Sequence, residues 1–498
     1  MNYAAHQATP EQLARIRTAI AHAMQSPFYR KKFAGFDPRD LKTVDDLRRL
    51  PFSDKSDLRE AYPMGLAAVP EADIVRIHSS SGTTGTPVII PYTQKDVDDW
   101  AIMFQRCYET AGVTRHDRIH ITPGYGLWTA GIGFQNGGER LGALCIPMGP
   151  GNTDRQLKLM QDMKSTVLCA TSSYALLLAE EIARRGIGEK IHLKKALIGS
   201  ERWGEKMRRR IAHELGVELY DIYGLTEIYG PGIGISCDCQ CGMHYFNDYI
   251  HCEIIDPHTG ERLENGEVGE LVITTLQKEG APLINYRTHD LTRFLPGECG
   301  CGRAWPRIDT LIGRTDDMVK VKGVIIYPAQ VDEVLKEVDG ASGEYQVMID
   351  HLNGKDVVTV FFEMSRHADR KSVERAVKDR CKAKIGILVT PKGVEIGDLP
   401  RSEKKSTRVF DNPIFLCCLS RNCVKLSTGA GLNGYRRLTR WVKSDLASSD
   451  LPRRLWRPRL RQRLLIKRWK SGNIASRQQE AGFRYAGMRM ARPVRWAN

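Results

Sequence analysis

The chain has 498 residues, of which 42% are hydrophobic and 27% are charged. This is the balance of a globular protein with a buried core, and the length predicts two or more domains. No apolar run is long enough to span a bilayer, and the polar N-terminus lacks the apolar core of a secretory signal, so we expect a cytoplasmic protein outside the membrane.

The formal net charge of +15 belongs to the C-terminal segment. Of the 74 Lys and Arg and 59 Asp and Glu, residues 413–498 hold 20 and 3. Residues 1–412 are therefore close to neutral, with 54 basic and 56 acidic side chains. The basic character therefore says nothing about the partners of the body, for which we expect no nucleic acid.

Residues 10–35 are predicted to form a helix, because their apolar side chains recur near a 3.6-residue period. From Asp73 onward, short β-rich runs alternate with longer amphipathic stretches, as in DRIHIT, TDRQLKLMQDMK, TVLCAT and SYALLLAEEIARRG. This alternation indicates an α/β fold in which crossover helices join parallel strands. Residues 253–293 are strand-rich with turn signals, which adds further sheet.

A second, smaller unit is predicted to begin near Asp316. It contains a helix in AQVDEVLKEV, strands in EYQVMID and KDVVTVFFEM, and a helix in HADRKSVERAVKDRCKAKIG. The expected domains are therefore a large one at residues 1–315 and a compact α+β one at residues 316–411.

Residues 412–498 form a basic tail in which Arg, Trp and Leu dominate and no alternating pattern continues. Such a segment is predicted to stay disordered, since little balances its positive charge. It is interpreted as a non-native extension, and binding to nucleic acid or to an anionic surface is the alternative.

The strongest local signal is SSSGTTGTP at residues 79–87. Closely spaced glycines let backbone N–H groups turn toward an anion, and the hydroxyls add donors, so the loop suits a triphosphate. It is not a Walker A loop, because no Lys follows the second Gly. A flexible linker is the alternative, although IVRIH and VIIPYT, which flank the loop, read as strands.

Carboxylates in two further segments suit nucleotide binding. In DIYGLTE, Glu227 is a candidate Mg²⁺ ligand and Asp221 could accept from an adenine amino group. In YRTHD, Asp290 could bind two ribose hydroxyls. The alternatives are a strand end with a turn for DIYGLTE, and loop-capping roles for Asp290 and Asp316. The basic loop LPRSEKKSTR at residues 399–408 could equally be a solvated face.

In this order and spacing, these segments resemble the phenylacetate–coenzyme A ligase family of the acyl-adenylate-forming superfamily. The resemblance covers nearly all of residues 10–411. It is carried by PFYRKKF, LPFSDKSDLRE, SSSGTTGTP, YGLTE, YRTHDLTRFLPG, GRTDDMVKVKGVIIYP and LPRSEKKSTRV.

The resemblance implies a large N-terminal domain with mixed β-sheets and crossover helices, and a small mobile C-terminal domain that swings on Asp316. It implies that Glu227 binds Mg²⁺ and that Lys405 is the catalytic lysine. Lys404 replaces the Gly of the family's RSEGK-type motif, which leaves Lys404 as the alternative catalytic residue.

The resemblance also implies positions that bind the nucleotide, at the phosphates, the adenine and the ribose: Ser80, Ser81, Gly82, Thr83, Thr84, Gly85, Gly199, Ser200, Glu201, Asp221, Tyr223, Thr226, Asp290 and Arg314. The family more often has Ala at the position of Ser200. The stretch that matches the family's aryl pocket contains Tyr125, Gly126, Trp128 and Phe134. Plain core packing is the alternative for these aromatic residues.

The implied reaction is ATP-dependent activation of an aryl acid to an acyl-adenylate, followed by transfer to coenzyme A. An arylacetic acid such as phenylacetic acid is favoured, while indoleacetic acid and a benzoate stay open. The alternative within the same fold is an acceptor other than coenzyme A. A homodimer is compatible with the sequence.

A cysteine and histidine cluster predicts a structural zinc site. Cys237, His244, Cys299 and Cys301 form a tetrahedral donor set, and some members of the family hold zinc at matching positions. Cys239 and Cys241 are alternatives for the first ligand, and unligated thiols are the alternative for the whole cluster.

Overall fold

The computed structural model describes residues 9–80, 86–201, 203–315, 319–321, 324–326, 328–352, 355–399 and 408–412. A large N-terminal domain with mixed α/β sheets precedes a small C-terminal domain, which confirms the predicted fold class. The predictions for the basic tail fall outside the described residues, apart from Asn412.

The helices alternate with strands along most of the chain. Their bounds are α1 (Pro10–Ala23), α2 (Pro27–Lys32), α3 (Lys55–Glu60), α4 (Gln94–Thr110), α5 (Ala130–Leu141), α6 (Thr153–Asp162), α7 (Ser172–Arg185), α8 (Glu205–Leu215), α9 (Pro328–Lys336) and α10 (Arg370–Lys384). Short 3₁₀ turns add Pro38–Asp40, Val44–Arg49, Glu71–Asp73 and Gly188–Lys190.

The strands of the large domain are β1 (Arg76–Ser79), β2 (Ile89–Tyr92), β3 (Arg118–Ile121), β4 (Leu144–Pro147), β5 (Val167–Thr171), β6 (Lys195–Gly199), β7 (Glu218–Leu225), β8 (Gly230–Ser236), β9 (Met243–Tyr245), β10 (Ile250–Ile255), β11 (Gly269–Thr275), β12 (Tyr286–Thr292), β13 (Phe294–Leu295), β14 (Arg307–Ile308) and β15 (Gly313–Arg314). After them come β16 (Val319–Val321), β17 (Val324–Ile326), β18 (Ala341–Leu352), β19 (Lys355–Met364), β20 (Thr390–Glu395) and β21 (Val409–Asn412).

The main sheet of the large domain has the strand order β13-β14-β9-β8-β7-β6-β5-β3-β4. Strands β3 to β7 pair in parallel, as the alternation of strands and helices predicted. Beyond β7 the pairing becomes antiparallel through β8, β9 and β14. The carboxyl ends of the parallel strands therefore meet at one edge, where ligands bind in sheets of this kind.

A second sheet of the large domain has the order β10-β11-β12-β15, and its strands pair antiparallel. It confirms the strand-rich prediction for residues 253–293. Its β12–β15 pairing places Asp290 opposite Arg314. Two predicted nucleotide-binding residues are thus brought together by strand register.

The small domain is built on the sheet β20-β19-β18-β21 with helices α9 and α10. Strand β18 runs antiparallel to β19 and parallel to β21. The last described strand, β21, ends at Asn412, one residue beyond the predicted end of the small domain at Asp411.

The predicted single helix at residues 10–35 is wrong, because the structure divides it into α1 and α2. Ser26 has an extended backbone, and its side chain accepts from the Tyr29 N–H as the N-cap of α2. Pro27 occupies the first position of α2, where it lacks the N–H that a continuous helix would need.

The large domain packs around a continuous apolar core that includes the fully buried Trp100, Phe104 and Tyr108 of α4. The small domain has its own core between α9, α10 and its sheet, with Val334, Val360 and Val377 at its centre. Among the helices described, none combines the length and apolar character needed to cross a bilayer.

Candidate nucleotide and acid site

The ribose-binding prediction falls on a carboxylate that two neighbouring side chains hold in place. The Tyr223 hydroxyl donates to Asp290 Oδ2 at 2.7 Å, and Arg314 Nη1 donates to Asp290 Oδ1 at 2.7 Å. Asp290 is buried, so both oxygens have fixed directions. Three residues that the sequence predicted separately thus form one unit at the end of β7 and across β12 and β15.

Glu227, the predicted Mg²⁺ ligand, is buried and lies beside a cation. Lys55 Nζ, at the start of α3, is 3.0 Å from Glu227 Oε1. The carboxylate therefore has a compensating charge in this structure. Sequence reasoning missed Lys55, because a lysine in a short N-terminal helix carries no local sign that it reaches a residue 172 positions later.

A buried lysine anchors the backbone next to Glu227. Lys278 Nζ donates to the Ile228 carbonyl and lies 4.1 Å and 4.6 Å from the ring centroids of Tyr92 and Tyr229. Burial lowers the pKa of Lys278 to about 7. Desolvation opposes the charged form, while the aromatic faces stabilise a cation. This residue was also missed, since its partners come from two distant segments.

Ser80 begins the phosphate loop. Its backbone N–H donates to the Val88 carbonyl at 3.3 Å, and its hydroxyl is buried with no partner among the described residues. A buried unpaired hydroxyl is costly unless a ligand satisfies it, so this position fits a phosphate. The predicted phosphate-binding residues Ser81, Gly82, Thr83, Thr84 and Gly85 lie outside the described residues.

The predicted acid-binding stretch lies between the phosphate loop and YGLTE. The Leu127 carbonyl accepts from the Ser79 N–H at 2.9 Å, and Thr129 Oγ1 is 3.2 Å from Thr226 Oγ1. Residues 125–129 therefore connect the two nucleotide-binding segments. An acid bound here would present its carboxylate near the site of the phosphates.

Glycines let aromatic rings pack tightly around this stretch. A Cβ on Gly131 would lie 2.7 Å from the Tyr125 ring, and one on Gly133 would lie 2.4 Å from the Trp100 ring. Trp128 is half-exposed, whereas Phe134 is buried against Phe104 with ring centroids 4.9 Å apart. Phe134 therefore packs in the core, whereas the Trp128 side chain is accessible to a ligand.

His78 is a further buried group beside this stretch that the sequence did not indicate. Its Nδ1 is 3.3 Å from the Leu127 carbonyl, and its ring makes edge contacts with Tyr92 and Trp100. Burial lowers the pKa of His78 to about 4, so the ring is neutral at physiological pH. His78 therefore contributes no positive charge to the site.

The predicted adenine residues lie at the ends of neighbouring parallel strands. Gly199 ends β6, where a Cβ would approach the Ile222 carbonyl oxygen to 2.3 Å. Ser200 follows with a φ of 68°, a left-handed conformation that makes the chain turn sharply. Glu201 accepts from the Ser173 N–H and hydroxyl at 2.9 and 2.7 Å, so its carboxylate holds the start of α7.

Asp221 lies on β7, one strand along from Gly199. Burial raises the pKa of its carboxyl to about 6, while Arg208 and a hydrogen bond from the Trp203 side chain lower it. Trp203 and Arg208 are therefore neighbours of this carboxyl group that sequence reasoning missed.

Asp316, the predicted hinge residue, and Lys405, the predicted catalytic lysine, lie outside the described residues, as does the alternative Lys404. The roles of these three positions therefore stay predictions.

The cysteine and histidine cluster is brought together at the edge of the main sheet. Ligand atoms of Cys237, His244, Cys299 and Cys301 all lie within 4.8 Å of one another. His244 Nδ1 is 2.8 Å from the Trp305 carbonyl, which orients Nε2 toward the thiols. Cys301 Sγ is 3.3 Å from that nitrogen.

Two additional thiols flank this set. Cys241 Sγ is 3.3 Å from Cys299 Sγ and accepts from Arg307 Nη1 at 3.0 Å. Cys239 is exposed and groups with Cys237 and Asp238. The geometry therefore favours the four predicted residues as one donor set, with Cys239 at its rim.

Comparison with protein families gives two matches along the chain. A family model of AMP-binding enzymes matches residues 20–277, and one of the C-terminal domain of AMP-binding enzymes matches residues 323–413. The second match covers the small domain and begins beyond the predicted hinge.

Among curated proteins, the phenylacetate–coenzyme A ligase of Pseudomonas putida is 41% identical over 411 residues, which cover 80% of this chain and 93% of that protein. The phenylacetate–coenzyme A ligase of Escherichia coli strain K12 is 40% identical over 412 residues, which cover 80% of this chain and 94% of that protein.

Among solved structures, 2-hydroxyisobutyryl-CoA ligase in its postadenylation state superimposes with a TM-score of 0.74 at 26% identity, covering 88% of this chain and 92% of that chain. The same protein in its thioesterification state gives a TM-score of 0.60 at 27% identity, covering 87% and 92%. The identity and coverage of the curated relatives extend over both domains. This chain therefore belongs to the phenylacetate–coenzyme A ligase family of AMP-binding enzymes.

Proposed function

We propose that this protein is an acid–thiol ligase that activates an arylacetic acid, with phenylacetic acid as the foremost candidate, and transfers the acyl group to coenzyme A. The observation that carries the proposal is the unit of Tyr223, Asp290 and Arg314, with Glu227 just beyond the end of β7. It offers candidate carboxylates for the ribose and for a metal ion, in a chain that aligns with phenylacetate–coenzyme A ligases over 80% of its length.

In the first half-reaction, a carboxylate oxygen of the acid bonds to the α-phosphorus of ATP, and pyrophosphate leaves. The attack brings anions together, so positive charge and N–H donors must stabilise the transition state. We assign Lys405 to the α-phosphate, and Ser80 with residues 81–85 to the phosphate chain. Glu227 would hold Mg²⁺, which supplies charge neutralisation at the phosphates when bound.

The nucleotide is oriented by groups at both of its ends. Asp290, fixed by Tyr223 and Arg314, would accept from the ribose hydroxyls. Asp221 would accept from the adenine amino group. Because Asp290 is already oriented in the protein, little ordering of this carboxylate remains to be done when ATP binds.

In the second half-reaction, the thiol of coenzyme A loses its proton and its sulfur bonds to the acyl carbon, and AMP leaves. Access for the thiol requires the small domain to rotate about Asp316. We place the domain boundary there, with residues 1–315 in the large domain and 316–411 in the small one. The family matches that end at residue 277 and begin at residue 323 support this placement.

The side chains around residues 125–129 favour an aryl acid. Tyr125 and the half-exposed Trp128 offer flat apolar surfaces, and Gly131 lets the Tyr125 ring pack directly against its backbone. A planar ring gains most from such walls. These residues support phenylacetic acid over a branched aliphatic acid.

We also propose a structural zinc ion at Cys237, His244, Cys299 and Cys301. Three thiols and one imidazole are the donors that structural zinc prefers, and all four ligand positions are filled by the protein. The ion would tie the 299–302 turn to strand β9 and so stabilise the edge of the main sheet.

The proposed function is tested by a panel of acids in which pyrophosphate release is measured with and without coenzyme A, and the thioester is identified by mass spectrometry. Phenylacetic acid should give the highest pyrophosphate release of the panel and a phenylacetyl thioester in equal amount. Pyrophosphate without thioester would contradict coenzyme A as the acceptor, and a preference for aliphatic acids would contradict the aryl pocket.

A further inference from the structure

A lysine of the large domain covers the C-terminal end of a helix in the small domain. Lys206 lies in the first turn of α8, and its Nζ donates to the backbone carbonyls of Leu335, Val338 and Ala341 at 2.7, 2.8 and 2.9 Å. An ammonium group has three protons to donate, so every donor of this side chain is used across the domain interface.

The acceptors are groups that a helix end leaves unpaired. Leu335 is in the last turn of α9, and Val338 and Ala341 follow in the turn that leads to β18. Carbonyls at a helix C-terminus lack intrahelical donors and carry the negative end of the helix dipole, so a cation there is favourable. A charge-assisted contact of this kind is stronger than a contact between neutral groups.

Glycines on both sides of this interface let the two domains approach each other closely. A Cβ on Gly204, just before α8, would lie 3.2 Å from Asp332 Oδ1 of α9. A Cβ on Gly343, in β18, would lie 3.1 Å from the backbone nitrogen of Met207. The interface is therefore built from backbone as well as from the Lys206 side chain, and it fits one arrangement of the domains.

That arrangement is the one nearer to the first half-reaction. The chain superimposes on 2-hydroxyisobutyryl-CoA ligase better in that protein's postadenylation state than in its thioesterification state, with TM-scores of 0.74 and 0.60. Because the compared protein is the same and coverage is nearly equal, the difference reflects the placement of the domains.

We propose that Lys206 is a positioning residue that holds the small domain in the adenylation arrangement, and that its three hydrogen bonds break before coenzyme A can react. The inference rests on the proposed two-step function. Lys206 touches neither substrate in this account. It sets the balance between two arrangements, so it should affect the two half-reactions differently.

The test compares Lys206→Met, which keeps much of the side-chain bulk and removes the donors, with the wild-type chain in each half-reaction. Adenylation, measured as phenylacetate-dependent pyrophosphate release, should fall by about tenfold, the range of a typical coupling between two states. Thioester formation from supplied phenylacetyl-AMP and coenzyme A should be unchanged or faster. Lys206→Arg, which keeps donors and charge, should recover part of the adenylation rate.

Two further variants separate this role from general stability. Arg209→Met removes a cation from the same helix, at an exposed residue that pairs with Glu205, and should leave both half-reactions unchanged. Gly343→Ala presses on the Met207 backbone without removing a charge, and should lower adenylation in the same selective way. Equal loss of both half-reactions in Lys206→Met, or no loss of adenylation, would overturn the proposal.

Hydrogen exchange provides a measurement that does not depend on turnover. In Lys206→Met, amides of residues 335–345 should exchange faster than in the wild type, while amides of β5 and β6 should be unchanged. If the wild type activates no aryl acid, the proposed function fails but this comparison still tests the contact. Unchanged exchange at residues 335–345 would show that Lys206 does not hold the domains together.

Discussion

Lys55 Nζ lies 3.0 Å from Glu227 Oε1, so a lysine from a short N-terminal helix neutralises the carboxylate that is expected to bind Mg²⁺. Their contact gives the Glu227 carboxylate a cationic neighbour within the protein, and it places α3 next to this carboxylate.

The first prediction concerns Glu227. Glu227→Gln should reduce phenylacetate-dependent pyrophosphate release by at least about 100-fold, because a neutral amide is a poor ligand for Mg²⁺. The melting temperature should change little, since glutamine keeps the size and shape of the side chain. The matched control is Glu60→Gln, an exposed carboxylate on the same helix as Lys55. Wild-type-like adenylation by folded Glu227→Gln would contradict the metal-binding role.

The second prediction concerns the ribose. If Asp290 binds the ribose hydroxyls, the wild type should use ATP about tenfold better than 2′-deoxy-ATP in kcat/KM, the effect of one hydrogen bond to a charged group. Asp290→Ala should lose most of this preference. Asp309→Ala, at a carboxylate that pairs with Arg293 away from this unit, should keep it. Equal discrimination by wild type and Asp290→Ala would show that the carboxylate does not bind the ribose.

How far the sequence predicts this site depends on whether partners are close along the chain or set by sheet register. The family resemblance implied nucleotide-binding roles for Asp290, Arg314 and Tyr223, and strands β7, β12 and β15 bring them together. Contacts made by single side chains from remote segments could not be predicted. Lys55, Lys278 and Lys206 carry no local signal, because a lysine in a loop or on a helix usually faces solvent.

The same limit explains the error in secondary structure at residues 10–35. The apolar period continues through residues 10–35, but a new helix cap at Ser26 and the missing N–H of Pro27 divide the segment into two helices.

The pattern of apolar residues also could not distinguish Phe134, which packs in the core, from Trp128, which is half-exposed. Both are aromatic and lie six positions apart; only the packing of α4 against α5 separates them.

The third prediction concerns metal. Protein purified without chelator should contain about one zinc per chain, and Cys299→Ser should lose the metal and unfold at a lower temperature. Cys239→Ser should retain both, since Cys239 is exposed and outside the four-residue donor set. Elemental analysis and thermal unfolding make the comparison. Absence of zinc from the wild type, or its loss from Cys239→Ser alone, would contradict the assigned ligands.

The fourth prediction concerns the buried Lys278, whose burial lowers its pKa from 10.5 to about 7. Between these values the unfolded chain binds a proton that the folded chain lacks, so the free energy of unfolding contributed by Lys278 increases with pH. Below about pH 7 both states are protonated and the cost of burying the charge is fully present. The wild type should therefore gain stability relative to Lys278→Met by up to about 1.4 kcal/mol per pH unit from pH 7 upward.

Urea unfolding of both proteins at pH 7, 8 and 9 measures this difference. Lys95→Met, at a partly exposed lysine paired with Asp99, is the control. Lys278→Met should also slow adenylation, because the Ile228 carbonyl loses its donor next to Glu227. A difference in stability that stays constant over this pH range would show that the Tyr92 and Tyr229 faces keep Lys278 charged.

The central claim is that one chain performs two half-reactions with different requirements, and Lys405→Ala tests it most directly. Pyrophosphate release from ATP and phenylacetic acid should be abolished, because positive charge at the α-phosphate is needed only where that phosphorus is attacked. Thioester formation from supplied phenylacetyl-AMP and coenzyme A should proceed at the wild-type rate. Lys404→Ala, the neighbouring control, should leave both rates intact. Loss of both half-reactions in folded Lys405→Ala would contradict the account.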